Sequence, residues 1–93
     1  MFEVTEDALD AIRTTLHRPE MAGTVARVAT VASGNGRTAI AVGFVSEPAP
    51  GDTGYDAGDV VIYVQRGLDS QLTGACLDVR DTEGGARLVL RRA

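Results

Sequence analysis

The residues that could carry chemistry are few and scattered. Cys76 is the only thiol, His17 the only histidine, and Asp52, Asp56 and Asp59 form one loose acidic cluster. A single cysteine excludes an internal disulfide, a thiol-only zinc site and an iron–sulfur cluster held by the cysteines of one chain. Thiol chemistry must therefore run through Cys76, or through two copies of it. His17 lies beside Arg18, far in sequence from Cys76, and the spacing offers no nucleophile–base pair. Asp52, Asp56 and Asp59 lack the spacing and closing glutamate of a calcium loop. Ser33-Gly34-Asn35-Gly36 is glycine-rich, but no G-x-G-x-x-G precedes a helix, so a phosphate cradle is not expected.

All nine basic residues are arginine, against thirteen acids, for a net charge of −4. The absence of lysine excludes a lysine Schiff base and a Walker-type phosphate lysine. The negative balance argues against nucleic acid or an anionic membrane as the main partner. Charged residues and Pro19 break the first twenty positions, so no secretory leader is expected. No apolar run approaches the roughly 18 residues of a membrane span. A cytoplasmic protein is the expectation, with the 93 residues forming one domain.

Three kinds of element must position these residues. Thr5-Glu6-Asp7 reads as a helix start, with Thr5 as N-cap and two acids at the positive end of the helix. Val4 is placed to staple onto Leu9, and Leu9, Ile12 and Leu16 recur at helical spacing until Pro19. Residues 24–32 and 38–46 are rich in Val, Ala, Ile and Thr around Asn35-Gly36. Asn-Gly between two such runs is a strong hairpin signal, because both turn residues need positive φ. A turn centred there pairs Val31 with Ile40, Ala29 with Val42 and Arg27 with Phe44. Both faces of that hairpin are apolar, so both are expected to be covered.

Further on, Tyr55 is placed in a short strand turning at Asp56-Ala57-Gly58, and residues 59–65 form the next strand with Val60, Ile62 and Val64 on one face. Leu68 and Leu72 suggest a short helix between Arg66 and Thr73, ended by Gly74. Residues 75–80 set Ala75, Leu77 and Val79 opposite Cys76, Asp78 and Arg80. Asp81 to Gly85 is expected as a turn, and Arg87 to Arg91 as the last strand with Leu88 and Leu90 inward. Cys76 is then expected to be half-buried and inert, in a sheet covered on both sides.

This order of residues resembles the HesB/IscA-like domain of A-type iron–sulfur cluster assembly proteins. The likeness rests on Thr5-Glu6-Asp7-Ala8 to Leu16, Arg27-Val28-Ala29-Thr30-Val31, Ser33-Gly34-Asn35-Gly36 and Phe44-Val45-Ser46-Glu47. It continues through Gly51-Asp52, Gly58-Asp59-Val60-Val61-Ile62-Tyr63-Val64, Leu72-Thr73-Gly74, Leu77-Asp78 and Gly84-Gly85 ahead of Leu88. The resemblance implies an α+β HesB-like domain. Its N-terminal helix packs on a mixed, mostly antiparallel sandwich or barrel of short strands, with a second short helix. It also implies a connection to iron–sulfur assembly, a protein partner and a homodimer.

The family's three cysteines have no counterpart here. Asn35 stands at the first of them, and the other two form a Cys-Gly-Cys beyond the last strand, where this sequence reads Arg91-Arg92-Ala93. An amide is a poor substitute for the soft, anionic thiolate that iron demands. The expectation is a degenerate, non-enzymatic accessory or protein-interaction module, with no metal and no cofactor bound through the family's ligands. The alternatives are an iron or iron–sulfur carrier using Cys76 across a dimer, and a small enzyme of unknown reaction.

Overall fold

The computed structural model describes residues 3–32, 34–83 and 85–92; Ser33 and Gly84 lie outside the described residues. A two-residue strand, β1 (Glu3–Val4), leads directly into helix α1 (Glu6–Leu16). Thr5 joins them: its backbone N–H donates to Leu77 O at 3.0 Å, and its Oγ1 accepts the Ala8 N–H at 3.1 Å. Ala8 and Ile12 are fully buried, while Leu16 packs at the edge of the core. The helix stops before a 3-10 turn that begins at Pro19, whose ring cannot continue it.

Strands β2 (Val25–Ala32) and β3 (Thr38–Val45) form the expected hairpin, one residue out of the expected register. Val31 pairs with Ala39, Ala29 with Ala41 and Arg27 with Gly43. Asn35 (φ 53°) and Gly36 (φ 71°) do occupy a tight turn, closed by Arg37 N–H donating to Gly34 O at 3.0 Å. The strands pair from Ala32 and Thr38, however, so one more residue falls on the β2 side of that turn than on the β3 side. A slip of one residue reverses which side chains share a face. Ala26 and Val28 are accordingly buried with Ile40, Val42 and Phe44 packed beside them. Val25, Ala29 and Val31 turn outward with Ala39, Ala41 and Val45.

That outer face is not covered as expected: Val31 is 47% exposed, as is Val61 at 43%. Much of it is alanine and glycine, which lose little by staying in water because each presents little apolar area. The sheet is completed by β5 (Val61–Val64), parallel to β2, and β4 (Thr53–Asp56), antiparallel to β5, in the order β3-β2-β5-β4. The expected alternation holds, with Val60, Ile62 and Val64 all buried.

Helix α2 (Asp69–Leu72) buries Leu68 and Leu72 and hands over through Gly74 at φ 81°. Strands β6 (Ala75–Thr82) and β7 (Gly85–Arg92) each run longer than expected, so the turn between them is narrower than Asp81–Gly85. With β1 they make a second sheet, β1-β6-β7, in which Val4 pairs parallel with Leu77. Both sheets turn their apolar faces, with α1, onto one core that includes Ile12, Ile62, Leu72 and Leu77. They remain two sheets, so the architecture is an α+β sandwich and not a closed barrel.

Thr5 carries an unusual share of this assembly, since its Oγ1 also donates to Asp78 Oδ1 at 3.0 Å. Thr5→Ala is expected to cost about 1 kcal/mol, the usual value for a lost N-cap. Thermal unfolding checks this; an unchanged Tm would show that the cap and its tie to β6 add nothing.

Candidate functional site

The hairpin tip is positioned by backbone geometry alone. Asn35 is the one non-glycine residue with positive φ among those described, a conformation that asparagine tolerates better than most residues. Gly34, Asn35, Gly36 and Arg37 are all exposed. The tip therefore presents an amide and glycine backbone, with no thiolate, imidazole or carboxylate.

Cys76 lies in the other sheet, between Glu3 of β1 and Arg91 of β7 in register. It is half-buried, and its Sγ sits 3.9 Å from Leu77 O. Ala75, Leu77 and Val79 face the core from the same strand, and Asp78 and Arg80 share the outer face with the thiol, as the alternation predicts. The covering expected over that outer face is missing: Arg80, Arg87 and Arg91 are exposed there. The cause is compositional, because a face built from charged residues gains more from water than from packing. Asp78 is the acid among them. It accepts hydrogen bonds from Thr5 Oγ1 and its neighbour's Val79 N–H and pairs with Arg91 Nη2 at 2.6 Å. The Val79 N–H first, then the Thr5 hydroxyl and Arg91, hold its carboxyl below the usual range.

The acidic cluster Asp52, Asp56 and Asp59 is dispersed by the fold. Asp59 forms a two-bonded pair with Arg13 of α1, at 2.7 and 2.8 Å, and Arg13 also reaches Asp10 at 2.6 Å. Asp56 accepts the Gly58 N–H within its own turn. Asp52 reaches back to Arg27 in the middle of β2, with contacts of 2.7 and 3.1 Å, and takes the Ala49 N–H at 2.9 Å. Its side chain is 1% exposed and that of Arg27 is 20% exposed. The Arg27 hydrogen bond is the main cause that lowers the Asp52 carboxyl, against the opposing effect of burial.

This pair brings together β2 and the loop at Gly51-Asp52, which sequence reasoning kept apart. The available signal was a lone arginine in an otherwise apolar strand. His17 is exposed just past the end of α1, and no hydrogen bond joins it to Cys76. No group of three or more His, Cys, Asp or Glu that could hold a metal ion is found among the described residues.

Two clefts flank the core. One, of about 580 Å³, lies between Val4, Leu9, Tyr55 and Ile62, with the Asp56 carboxylate also in its lining. The other, of about 490 Å³, separates β3 from β7 over α1. No cysteine or histidine lines either cleft.

The course of β1 into α1, the β2–β3 hairpin, the parallel β2–β5 pair and the terminal β6–β7 hairpin can be compared with solved structures. The crystal structure of IscA with a [2Fe-2S] cluster matches at TM-score 0.70 and 18% identity, covering 99% of this chain and 82% of that one. Escherichia coli SufA, involved in biosynthesis of iron–sulfur clusters, matches at TM-score 0.74 and 18% identity, over 98% and 79%. The chain has the HesB-like fold of IscA and SufA. A protein from Aquifex aeolicus shares this HesB-like fold at TM-score 0.73 and 22% identity, over 99% and 91% of the two chains. No protein-family model matches the sequence, and no curated protein does.

Within the HesB-like fold, Asn35 occupies the tip of the four-stranded sheet and Cys76 the middle of a strand in the three-stranded one. The topology does not make one ligand set of them. A thiolate-held cluster does not fit the residues present: the hairpin tip supplies an amide, and the 93 residues contain one sulfur ligand of the thiol type. No helix among the described residues is long and apolar enough to cross a membrane.

Proposed function

We propose that this domain is a non-enzymatic accessory module of iron–sulfur assembly that works by binding another protein and does not itself carry the cluster. The HesB-like fold connects it to that process, since IscA holds a [2Fe-2S] cluster and SufA takes part in cluster biosynthesis. The observation that carries the reading is the donor set. Asn35 stands at the hairpin turn and Cys76 is the sole thiol, in the other sheet. Iron–sulfur clusters are held by several soft thiolates at once, and this chain brings no two donors of that kind together.

The turn survives on its own merits, because Asn-Gly satisfies the positive φ of both central residues without any ligand role. Cys76 packs as a small, half-buried hydrophobe beside the Asp78–Arg91 pair. What remains for function is surface: an open apolar sheet face, two clefts and an arginine-bearing strand pair.

Anaerobic incubation with ferrous iron and sulfide, followed by desalting, is expected to leave the protein without a stoichiometric visible absorption band. A stoichiometric band that disappears in Cys76→Ser would contradict the proposal, and would identify a carrier using one thiol from each of two copies.

A further inference from the structure

The two sheets come together on one side of the sandwich, where β3 packs against β7. On the other side they end in β1 and β4, and the cleft of about 580 Å³ is lined from both. Val4 comes from β1, Leu9 from α1, Tyr55 and Asp56 from β4, and Ala57 from the turn that follows. Leu9 belongs to the apolar stripe of α1, yet it is only half-buried, because it borders this opening. The volume lies in the range of pockets that bind ligands, about 300–1,000 Å³, and exceeds that of one leucine side chain.

The charge of the segments that build the cleft is one-sided. Residues 3–13 and 53–60 contain Glu3, Glu6, Asp7, Asp10, Asp56 and Asp59 against Arg13 alone. Arg13 is occupied by two of them, reaching Asp10 at 2.6 Å and Asp59 at 2.7 and 2.8 Å. Asp56 is in the lining itself, and Glu6 lies three residues before Leu9, beside it on the helix surface. Both acids are exposed, and neither pairs with a cation among the described residues. The other arginines lie elsewhere: Arg80, Arg87 and Arg91 on the outer face of the three-stranded sheet, and Arg37 beside the hairpin turn. An apolar opening bordered by unanswered carboxylates selects a partner of positive charge.

We propose that this cleft is a docking site for a basic segment of a partner protein. The segment inserts an apolar side chain between Leu9, Tyr55 and Ile62, and its flanking arginine or lysine residues meet Asp56 and Glu6. The inserted side chain supplies affinity by leaving water. The carboxylates speed encounter and turn away acidic partners. A second copy of this chain would set its arginine-bearing face on the cleft head to tail, a contact that propagates into a filament unless its rotation closes a ring. Nucleic acid and anionic membranes carry the wrong sign for this surface.

The site rests on the reading of the domain as a protein-binding module and names the class of partner. Its test is fluorescence anisotropy with a labelled hexapeptide, two leucines between pairs of arginines, joined to amide chemical-shift mapping on the intact protein. Saturable micromolar binding is expected, weakening as salt screens the charges, with shifts at Leu9 and from Gly54 to Ala57. Serine in place of both leucines keeps the peptide charge, leaves the protein untouched and is expected to weaken binding about tenfold or more. Asp56→Arg turns an attraction into a repulsion and is expected to cost about tenfold. Glu20→Arg makes the same change of charge in the exposed 3-10 turn, outside both segments, and is expected to change affinity less than about twofold.

Absent binding, equal binding of the serine peptide or of a glutamate-for-arginine peptide, or shifts outside the cleft would overturn the proposal. Equal losses in Asp56→Arg and Glu20→Arg would do so too, since net charge alone then explains the binding. So would concentration-dependent shifts at the cleft without peptide, which mark a second copy, or tighter binding of octylammonium, which marks a small-molecule site. Peptide binding alongside a reconstituted cluster would keep the site and reject the cluster-free reading. No peptide binding with a colourless protein would do the reverse.

Discussion

Ile62→Ala is expected to lower folding stability by about 2–5 kcal/mol, the usual range for truncating a fully buried isoleucine. A domain of 93 residues is held by roughly 5–14 kcal/mol in total, so the variant loses a large part of it. Its melting temperature should drop by ~10–30 °C. Ile62 is 0% exposed and sits on β5, the strand that joins β2 on one side to β4 on the other. Its neighbour in register on β2 is Ala26, also fully buried, so few atoms nearby can move in to fill the space left. Val61→Ala, one residue away and facing outward, is the control and should change stability little. Calorimetry on the two variants decides it. Similar losses would mean that β5 does not present Ile62 to the core.

Arg27→Leu is expected to destabilise the fold, although the substitution is nominally apolar. Removing the guanidinium leaves the Asp52 side chain, 1% exposed, with the Ala49 N–H as its remaining hydrogen-bond donor. A buried charge stripped of its counterion costs far more than the intact pair contributes. Arg27→Leu combined with Asp52→Asn should therefore recover much of the loss, because no charge is then stranded.

The pH profile supplies a second readout. The Asp52 carboxyl is held below its ordinary value of 3.8, chiefly by the Arg27 hydrogen bond, and Asp59 and Asp78 are held low as well. A group depressed in the folded state contributes stability that is full above its unfolded value and lost as pH falls through the folded one. The wild type should accordingly lose stability below about pH 4. The double variant should lose less over the same interval, since the Asp52 contribution is gone. An equally steep acid limb in both proteins would show that the Arg27–Asp52 pair does not couple to folding.

Particular residues show how much of this fold was legible. Thr5 as N-cap, Val60-Ile62-Val64 as a buried stripe and the Leu68–Leu72 spacing were readable because local chemistry and tertiary packing agree there. The β2–β3 register was not. Asn35-Gly36 marks a turn correctly but does not fix how the strands continue from it, and one extra residue on the β2 side pairs Val28 with Val42 where a centred turn sets it opposite Gly43. β1 escaped notice because two residues carry no periodicity; Leu77 defines it by pairing.

The candidate site was legible as an absence. The lone Cys76 and the Asn at position 35 can be counted in the sequence, whereas the meeting of Arg27 with Asp52 and of Arg13 with Asp59 depends on loops whose course only the fold supplies. The cleft between β1 and β4 was equally hidden, since it is lined from two strands that end separate sheets. The resemblance in sequence pointed to the correct fold through the order of common residues, not through any one motif.

The central claim is that the chain does not carry a cluster, and metal content tests it most directly. Protein purified under strictly anaerobic conditions should contain neither iron nor acid-labile sulfide in amounts approaching one per pair of chains. Stoichiometric iron and sulfide, retained through gel filtration and lost in Cys76→Ser, would contradict the account.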